Sequence, residues 1–465
     1  MKGERHANIE QLRRIGMRKY MDILSDLESK IGGGQYRPGQ KLPSIREAAK
    51  SYGCSTSTIV RAYAELEKRH AIYSMPQSGY YVVGMADEPA GGEDNPTIDF
   101  TSASPDAGVF PYLDFQHCLN KAIDTYKHQL FTYGNSQGLD KLRQTLAAHL
   151  ADGQVFAKAE RLVVTSGAQQ ALDILAKMPF PNGKAAILVE QPGYDIYLRF
   201  LEKERIPVYG IARTAEGIDL QELEKWFKRG EIKFFYTMPR YHNPLGTTYN
   251  AETRKSIASL ADKYGVYVVE DDYMADLGEE RGFDPIYTYS RTDRVVYVKS
   301  FSKIVFPGLR LGVAVLPEQL LEAFRHYKSN ADTSLLSQAA LEVYIKNGMY
   351  ERNKRRMSSQ YAERMRALNE ALQRHNEAGR IVAPPVRSGV YLPLMLPRVV
   401  NLERLLKRLA ARRVLAVSGK RFYLADSLEK EKFVRLSVSR TRPEQIEEGV
   451  RTIMEEIGRE LRELY

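Results

Sequence analysis

The chain has 465 residues, 43% of them hydrophobic and 27% charged, an ordinary balance for a globular protein, and it is long enough that two or more domains are expected. It carries a formal net charge of +10. No apolar stretch approaches a bilayer span or the core of a signal peptide, which predicts a cytoplasmic protein with no membrane partner. Cys54 and Cys118 are too few and too scattered for a disulfide framework or a zinc site, so ordinary thiols and no metal are expected.

The charge is unevenly spread. Residues 1–84 hold 14 Lys and Arg against 8 Asp and Glu, a net +6, whereas residues 85–99 hold five acids and no base. A basic leading unit suits a polyanion partner, but a solvated basic surface would give the same balance, so residue pattern has to decide.

Tyr20, Ile23, Leu24, Leu27 and Ile31 recur at helical spacing, which predicts an amphipathic helix over 18–31, stopped by the glycines at 32–34. Ser44 and Glu47 have the spacing of a capping box, in which each side chain satisfies an orphan amide, and predict a short second helix near 45–52. Gly53 breaks it. Ser55 caps a third helix whose buried stripe is Ile59, Ala62, Tyr63 and Leu66. Two short helices about a tight glycine turn make a helix-turn-helix, and AIYSM and YYVVG, separated by PQSG, read as a hairpin wing.

The run YRPGQKLPSIREAAKSYGCSTSTIVRAYAELE with the later SGYYV closely resembles the winged-helix domain of the GntR family. That resemblance implies double-stranded operator DNA as a partner. It puts Arg46 on a phosphate or base, turns Ser55, Thr56, Ser57 and Thr58 to the major groove, and brings the wing near the minor groove at Gly79. The family often has an arginine where Thr56 stands, which shifts the expected readout toward Arg46, Arg61 and the wing.

MADEPAGGEDNPT, residues 85–97, is rich in Gly, Pro and acid without apolar periodicity, as a linker is. It divides the chain into a DNA-binding domain at 1–84 and a second unit at 98–465. In that unit RLVVTS, AAILVE, KFFYTMP, VYVVED and RVVYVKS alternate with helical runs such as AQQALDILAKM and AETRKSIASLADKYG. Near-continuous apolar strands between helices predict a doubly wound α/β fold around a parallel sheet, with the site beyond the carboxyl ends of the strands.

The polar motifs fall in that place. KSFSKIVFPGLRLG puts Lys303 among small hydroxyl residues with Arg310 seven positions later, which suits an aldehyde-bonding lysine beside a phosphate clamp. RLVVTSGAQQALD sets Ser166 to Gln169 at a strand-to-helix junction, where free amides and the helix dipole favour a phosphate. VVEDDYMADL offers Asp271 and Asp272 as carboxylates for a pyridine nitrogen. QPGY offers Tyr194 as a stacking ring, and PRYHNPLG offers Asn243 as a donor to a phenolate oxygen. Each motif alone is weak, since tight turns, solvated acids and core aromatics look the same.

Together and in this order they strongly resemble fold-type I aminotransferases that depend on pyridoxal 5′-phosphate (PLP). The combination with the winged helix resembles the MocR/GabR family of transcription regulators. The resemblance implies a large α/β domain with a smaller C-terminal α/β subdomain, a homodimer, and PLP as cofactor. It gives Lys303 the aldehyde bond, Asp271 the pyridine nitrogen, Tyr194 the ring face, and Asn243 and Tyr273 the phenolic oxygen. The phosphate falls to the amides of Ala168 and Gln169, to Ser300, Ser302 and Arg310, and to Tyr133 from the partner subunit. Arg435, in FVRLSVS, resembles the arginine that grips a substrate carboxylate. PRYHNPLG looks more like working aminotransferases than the SHQFPTG form common among these regulators. The expectation is a regulator that senses PLP, or a small amine or amino acid, through aldimine chemistry. An active aminotransferase with an accessory head, and a DNA-binding protein with an inert scaffold, are the alternatives.

Overall fold

In the computed structural model the described residues are 20–31, 33–37, 40–69, 71–75, 78–82, 97–105, 109–277, 283–329, 332–376, 379, 381–428 and 430–463. They belong to two compact units, Met1–Asn95 and Pro96–Tyr465. The linker expected at 85–97 lies outside the described residues except for Thr97, as do residues 18 and 19 of the first expected helix.

In the first unit residues 20–31 are helical and bury Ile23, Leu24 and Leu27. The capping box forms as expected: Glu47 N donates to Ser44 Oγ (3.3 Å) and Ser44 N to Glu47 Oε2 (2.8 Å), starting helix Ile45–Ser51. Ser55 caps helix Thr56–Lys68, whose Ile59, Ala62, Tyr63 and Leu66 join the same apolar core as Ile23 and Leu27. Strands β1 (Ile72–Met75) and β2 (Gly79–Val82) pair antiparallel as the wing, and their Ile72 and Val82 close that core. Burying a side chain of this kind contributes roughly 1.5–3 kcal/mol.

The second unit begins at β3 (Ile98–Asp99) and is built on a seven-stranded sheet. Its strands are β4 (Leu162–Thr165), β5 (Ala186–Gln191), β6 (Val208–Ala212), β7 (Ile232–Thr237), β8 (Tyr267–Asp271), β9 (Val295–Ser300) and β10 (Gly312–Val315), in the order β4-β10-β9-β8-β7-β5-β6. The runs read as strands become β4, β5, β7, β8 and β9. One expectation is corrected: the sheet is not wholly parallel, because β10 is antiparallel to both its neighbours, β4 and β9. The segment 301–311 that joins β9 to β10 carries only a single 3₁₀ turn, Pro307–Leu309, and a parallel return would need a crossover helix. The other pairs are parallel, so the carboxyl ends of β4, β5, β7, β8 and β9 open on one edge.

The smaller C-terminal subdomain carries β11 (Tyr391–Met395), β12 (Val414–Leu415), β13 (Val417–Ser418) and β14 (Phe433–Ser437). Strands β11, β14 and β13 form an antiparallel sheet against helices Met349–His375, Leu402–Ala411 and Pro443–Arg462, while β12 pairs in parallel with β3. That pairing carries the chain past β14, where Ser437 N donates to Phe100 O (2.9 Å), and delivers residues 101–104 to the site. A buried ion pair, Lys299 with Asp276 (2.8 Å), also takes the Tyr350 hydroxyl (2.7 Å) and ties β9 to the long helix Met349–His375.

Candidate functional site

At the end of β4 the chain turns into helix Ala168–Lys177 through Gly167, whose φ of 81° suits glycine. A Cβ there would also stand 3.0 Å from Arg310 Nη2. The helix has no acid in its first turn, so the leading amides at Ala168 and Gln169 stand open to an anion. Arg310, whose Nη2 donates to Ser166 O (3.1 Å), shares that corner with Ser300 and Ser302.

At the end of β8 the two neighbouring acids have different surroundings. Asp272 accepts from Arg240 Nε (2.9 Å), from the same guanidinium's Nη2 and from the Tyr297 hydroxyl (2.9 Å), so its charge is compensated within the fold. Asp271 accepts from the Tyr236 hydroxyl (2.9 Å) through Oδ2, and its Oδ1 is buried without a partner. Burial, reinforced by the Asp272 charge, pushes the Asp271 carboxyl up to about 7. An orphaned acceptor of this kind fits a cationic N–H.

The loop after β7 is held from below. Glu190 of β5 accepts from Thr237 Oγ1 (2.7 Å), Met238 N (3.0 Å), Arg213 Nη1 (3.0 Å) and the Tyr249 hydroxyl (2.5 Å). Burial would raise this carboxyl, but the Arg213 guanidinium, the His242 ring 3.2 Å away and the Tyr249 hydroxyl hold it at about 2. The loop therefore has a fixed anionic anchor, and Asn243 projects from it into the cavity. Sequence reasoning missed Glu190 because an acid ending an apolar run looks like the solvated end of a strand.

Lys303 follows β9, and its Nζ donates to the Ala103 carbonyl. Burial and the nearby Arg435 charge lower its ammonium to about 8. Arg435, on β14, is 5% exposed. It donates to Asn243 Oδ1 (3.1 Å) and Thr101 O (2.8 Å) and lies 4.6 Å from the Tyr391 ring centre. Its Nε is buried without a partner, and among the described ion pairs no carboxylate reaches it.

These groups line one cavity of 560 Å³ at the carboxyl edge of the sheet. It gathers Lys303, Asp271, Tyr273, Asn243, Tyr194, Ala168, Gln169, Ser300, Ser302, Arg310 and Arg435, all of which were expected there. One point differs from the expectation. The Tyr273 hydroxyl donates to the Tyr241 carbonyl (2.7 Å), so in this state it turns no hydrogen toward a ligand oxygen, and Asn243 keeps a free amide donor. Tyr133, expected to reach the phosphate of a partner subunit, lies outside the cavity of its own chain and is 99% exposed. Sequence reasoning missed Thr101, Ala103, Tyr391, Asp195 and Arg421, which also line it.

In the first unit Arg46, Thr56 and Ser57 are exposed and Thr58 is half-buried. The Ser55 hydroxyl is engaged as a cap, accepting from Thr58 N (3.2 Å), which leaves Thr56 and Ser57 as the outward groups of the recognition helix. Arg61 is exposed and rests over the Tyr20 ring (5.3 Å). Gly79, with φ 118°, leaves room for Lys41, whose Cε a Cβ would meet at 3.1 Å.

Residues 106–453 match the family model for aminotransferase class I and II, and residues 19–82 match the model for bacterial regulatory proteins of the gntR family. The HTH-type transcriptional regulator YcxD of Bacillus subtilis is 46% identical over 447 residues, covering 94% of this chain and 99% of that protein. The chain belongs to the MocR/GabR family. It is a GntR-type DNA-binding regulator fused to an aminotransferase-like domain. The regulator is also 27% identical over 383 residues to aromatic-amino-acid aminotransferase 1 of Thermococcus litoralis, covering 80% of this chain and 90% of that one. Among solved structures the multiple substrate aminotransferase of Thermococcus profundus matches with a TM-score of 0.74 at 25% identity, over 80% of this chain and 93% of the other. The kynurenine aminotransferase of Pyrococcus horikoshii matches with a TM-score of 0.73 at 27% identity, over 79% and 92%. The family implies dependence on PLP, DNA binding by the head and a small-molecule effector. No helix among the described residues is long and apolar enough to cross a membrane.

Proposed function

We propose that this regulator binds PLP covalently at Lys303, senses an amino acid in the same cavity, and passes the binding state to an operator-bound head. The observation that carries the reading is the trio of uncompensated groups in one cavity: Arg435 without a carboxylate, Asp271 with an open oxygen, and Lys303 with a lowered pKa. PLP, when bound, supplies an aldehyde for amine exchange and an electron-withdrawing ring.

The chain's own groups divide the work. The Ala168 and Gln169 amides, Ser300, Ser302 and Arg310 hold the phosphate, with Tyr133 of a second copy completing the corner in a homodimer. Tyr194 lies against the ring. Asp271 Oδ1 accepts the pyridine N–H, a partner that removes the cost of burying its charge. Asn243, steadied by Arg435, donates to the phenolic oxygen. Lys303, with its pKa near 8, has a neutral fraction at physiological pH and can act as nucleophile and proton carrier. Arg435 keeps a buried guanidinium face for a carboxylate, which favours an amino acid over a simple amine. In the head, Arg46 and the exposed start of helix Thr56–Lys68 face the operator, with Arg61 and the wing at Gly79 beside them. This work belongs in the cytoplasm.

The test is borohydride reduction of the purified yellow protein followed by peptide mapping. PLP fixed on Lys303, and none fixed in Lys303→Ala, is the expected result; PLP on another lysine contradicts it. A second reading, an aminotransferase with an accessory head, has in its favour that the groups for carboxylate binding, ring binding and proton transfer share the cavity. Measuring keto-acid release and operator response in one preparation separates the two.

A further inference from the structure

The same cavity contains a charge pair that the proposed roles leave unused. Arg421 Nη2 meets Asp195 Oδ2 at 2.5 Å, and both residues line the cavity. Asp195 opens helix Asp195–Lys203 directly after Tyr194, and Arg421 comes from the turn Gly419–Phe422 after β13.

The two partners differ sharply in access to water. The Arg421 side chain is 57% exposed and that of Asp195 only 10%. A ligand whose side chain carries charge has to displace one of them. A carboxylate that took Arg421 would strand Asp195 in a nearly enclosed place without a cation, and an uncompensated buried charge is strongly unfavourable. An ammonium that took Asp195 would release Arg421 into solvent that already reaches most of it, and giving up an exposed ion pair costs little. The orphan amides at the start of the helix also favour keeping the carboxylate where it is. The asymmetry therefore selects a cation.

Resting on the effector site proposed above, we infer that the effector is an amino acid with a second, terminal amino group, whose ammonium replaces Arg421 on Asp195. Its carboxylate is taken by Arg435, and Ile196 and Val417 in the lining suit the methylene stem between the charged ends. Arg421 is then a stand-in cation that keeps Asp195 paired until the effector arrives.

The PLP-loaded protein is titrated by absorbance with lysine, ornithine, glutamate and norleucine, the last an isostere of lysine without the terminal amine. Lysine or ornithine should bind more tightly than norleucine by about tenfold, the scale of a desolvated charge pair. Arg421→Ala, which removes the competing cation, should tighten diamino acid binding and leave norleucine within about threefold. Asp195→Asn should abolish the advantage of the diamino acid, with its norleucine response reporting an intact site. A preference for glutamate, weaker lysine binding in Arg421→Ala, or equal binding of lysine and norleucine by the wild type overturns the inference while leaving the effector site in place. A spectrum that answers to no amino acid overturns both.

Discussion

Arg435 on β14 donates from Nη1 to Oδ1 of Asn243 in the loop after β7, across 3.1 Å. One guanidinium thus orients the Asn243 amide at the cavity wall, while its own Nε is buried without a partner. A carboxylate bound at Arg435, as proposed above, would therefore act on both the small-subdomain strand and the loop of the large domain.

Arg435→Ala should therefore do two things. It should weaken amino acid binding by about 2–5 kcal/mol, the usual cost of deleting one partner of a buried charged pair, and it should shift the cofactor band by freeing Asn243. Absorbance titration reads both effects. An unchanged affinity for amino acids would remove Arg435 from the effector site.

The Asp271 carboxyl, raised to about 7 in the folded protein by burial, lies above its ordinary value of about 3.9. The folded cofactor-free protein holds this proton more tightly than the unfolded chain does. Its contribution to stability is full below about pH 4 and is lost as pH rises through 7, with an upper bound of about 4 kcal/mol. Asp271→Asn removes the penalty, so cofactor-free Asp271→Asn should gain in Tm over the wild type as pH rises from 5 to 8. A difference in Tm that does not change with pH contradicts this origin of the shift. With PLP bound the order should reverse, because the amide cannot compensate a pyridinium charge.

In the head, Arg46 is exposed on the first turn of helix Ile45–Ser51. Arg46→Ala should weaken operator binding without altering the cofactor spectrum. A lost phosphate contact would reduce the salt slope by about one, and a lost base contact would relax sequence preference by about 1–3 kcal/mol. Unchanged operator affinity across several salt concentrations would take Arg46 off the DNA.

Much of this was legible in the sequence, for physical reasons that differ by element. Strands β5, β7, β8 and β9 are buried on both faces and read as apolar runs. Strand β6, at the sheet edge, is mostly half-buried or exposed and interrupted by Gly210, and β10 is only four residues long, GVAV. Both left no distinct pattern. Lys303, Asp271 and Arg310 sit in motifs whose chemistry is local. Thr101 and Ala103 serve through backbone carbonyls, which any residue supplies, so their sequence carries no signal. The choice of Asp271 over Asp272 depends on Arg240 and Tyr297, and the pairing of Asp195 with Arg421 depends on the fold bringing together segments far apart in the chain.

Under the proposed function the cavity and the head are energetically coupled, so that an amino acid bound near Lys303 changes operator affinity through the segment joining the two units. A ligand shifts a conformational equilibrium only by its differential affinity for the two states, typically about 1–3 kcal/mol, and the effect must be reciprocal. The direct measurement is an absorbance titration of the PLP-loaded protein with amino acid, with and without operator DNA, paired with operator binding at zero and saturating amino acid. One nonzero coupling factor, equal in both directions, is expected. Identical amino acid affinities with and without operator, together with operator binding that ignores the amino acid, would contradict it.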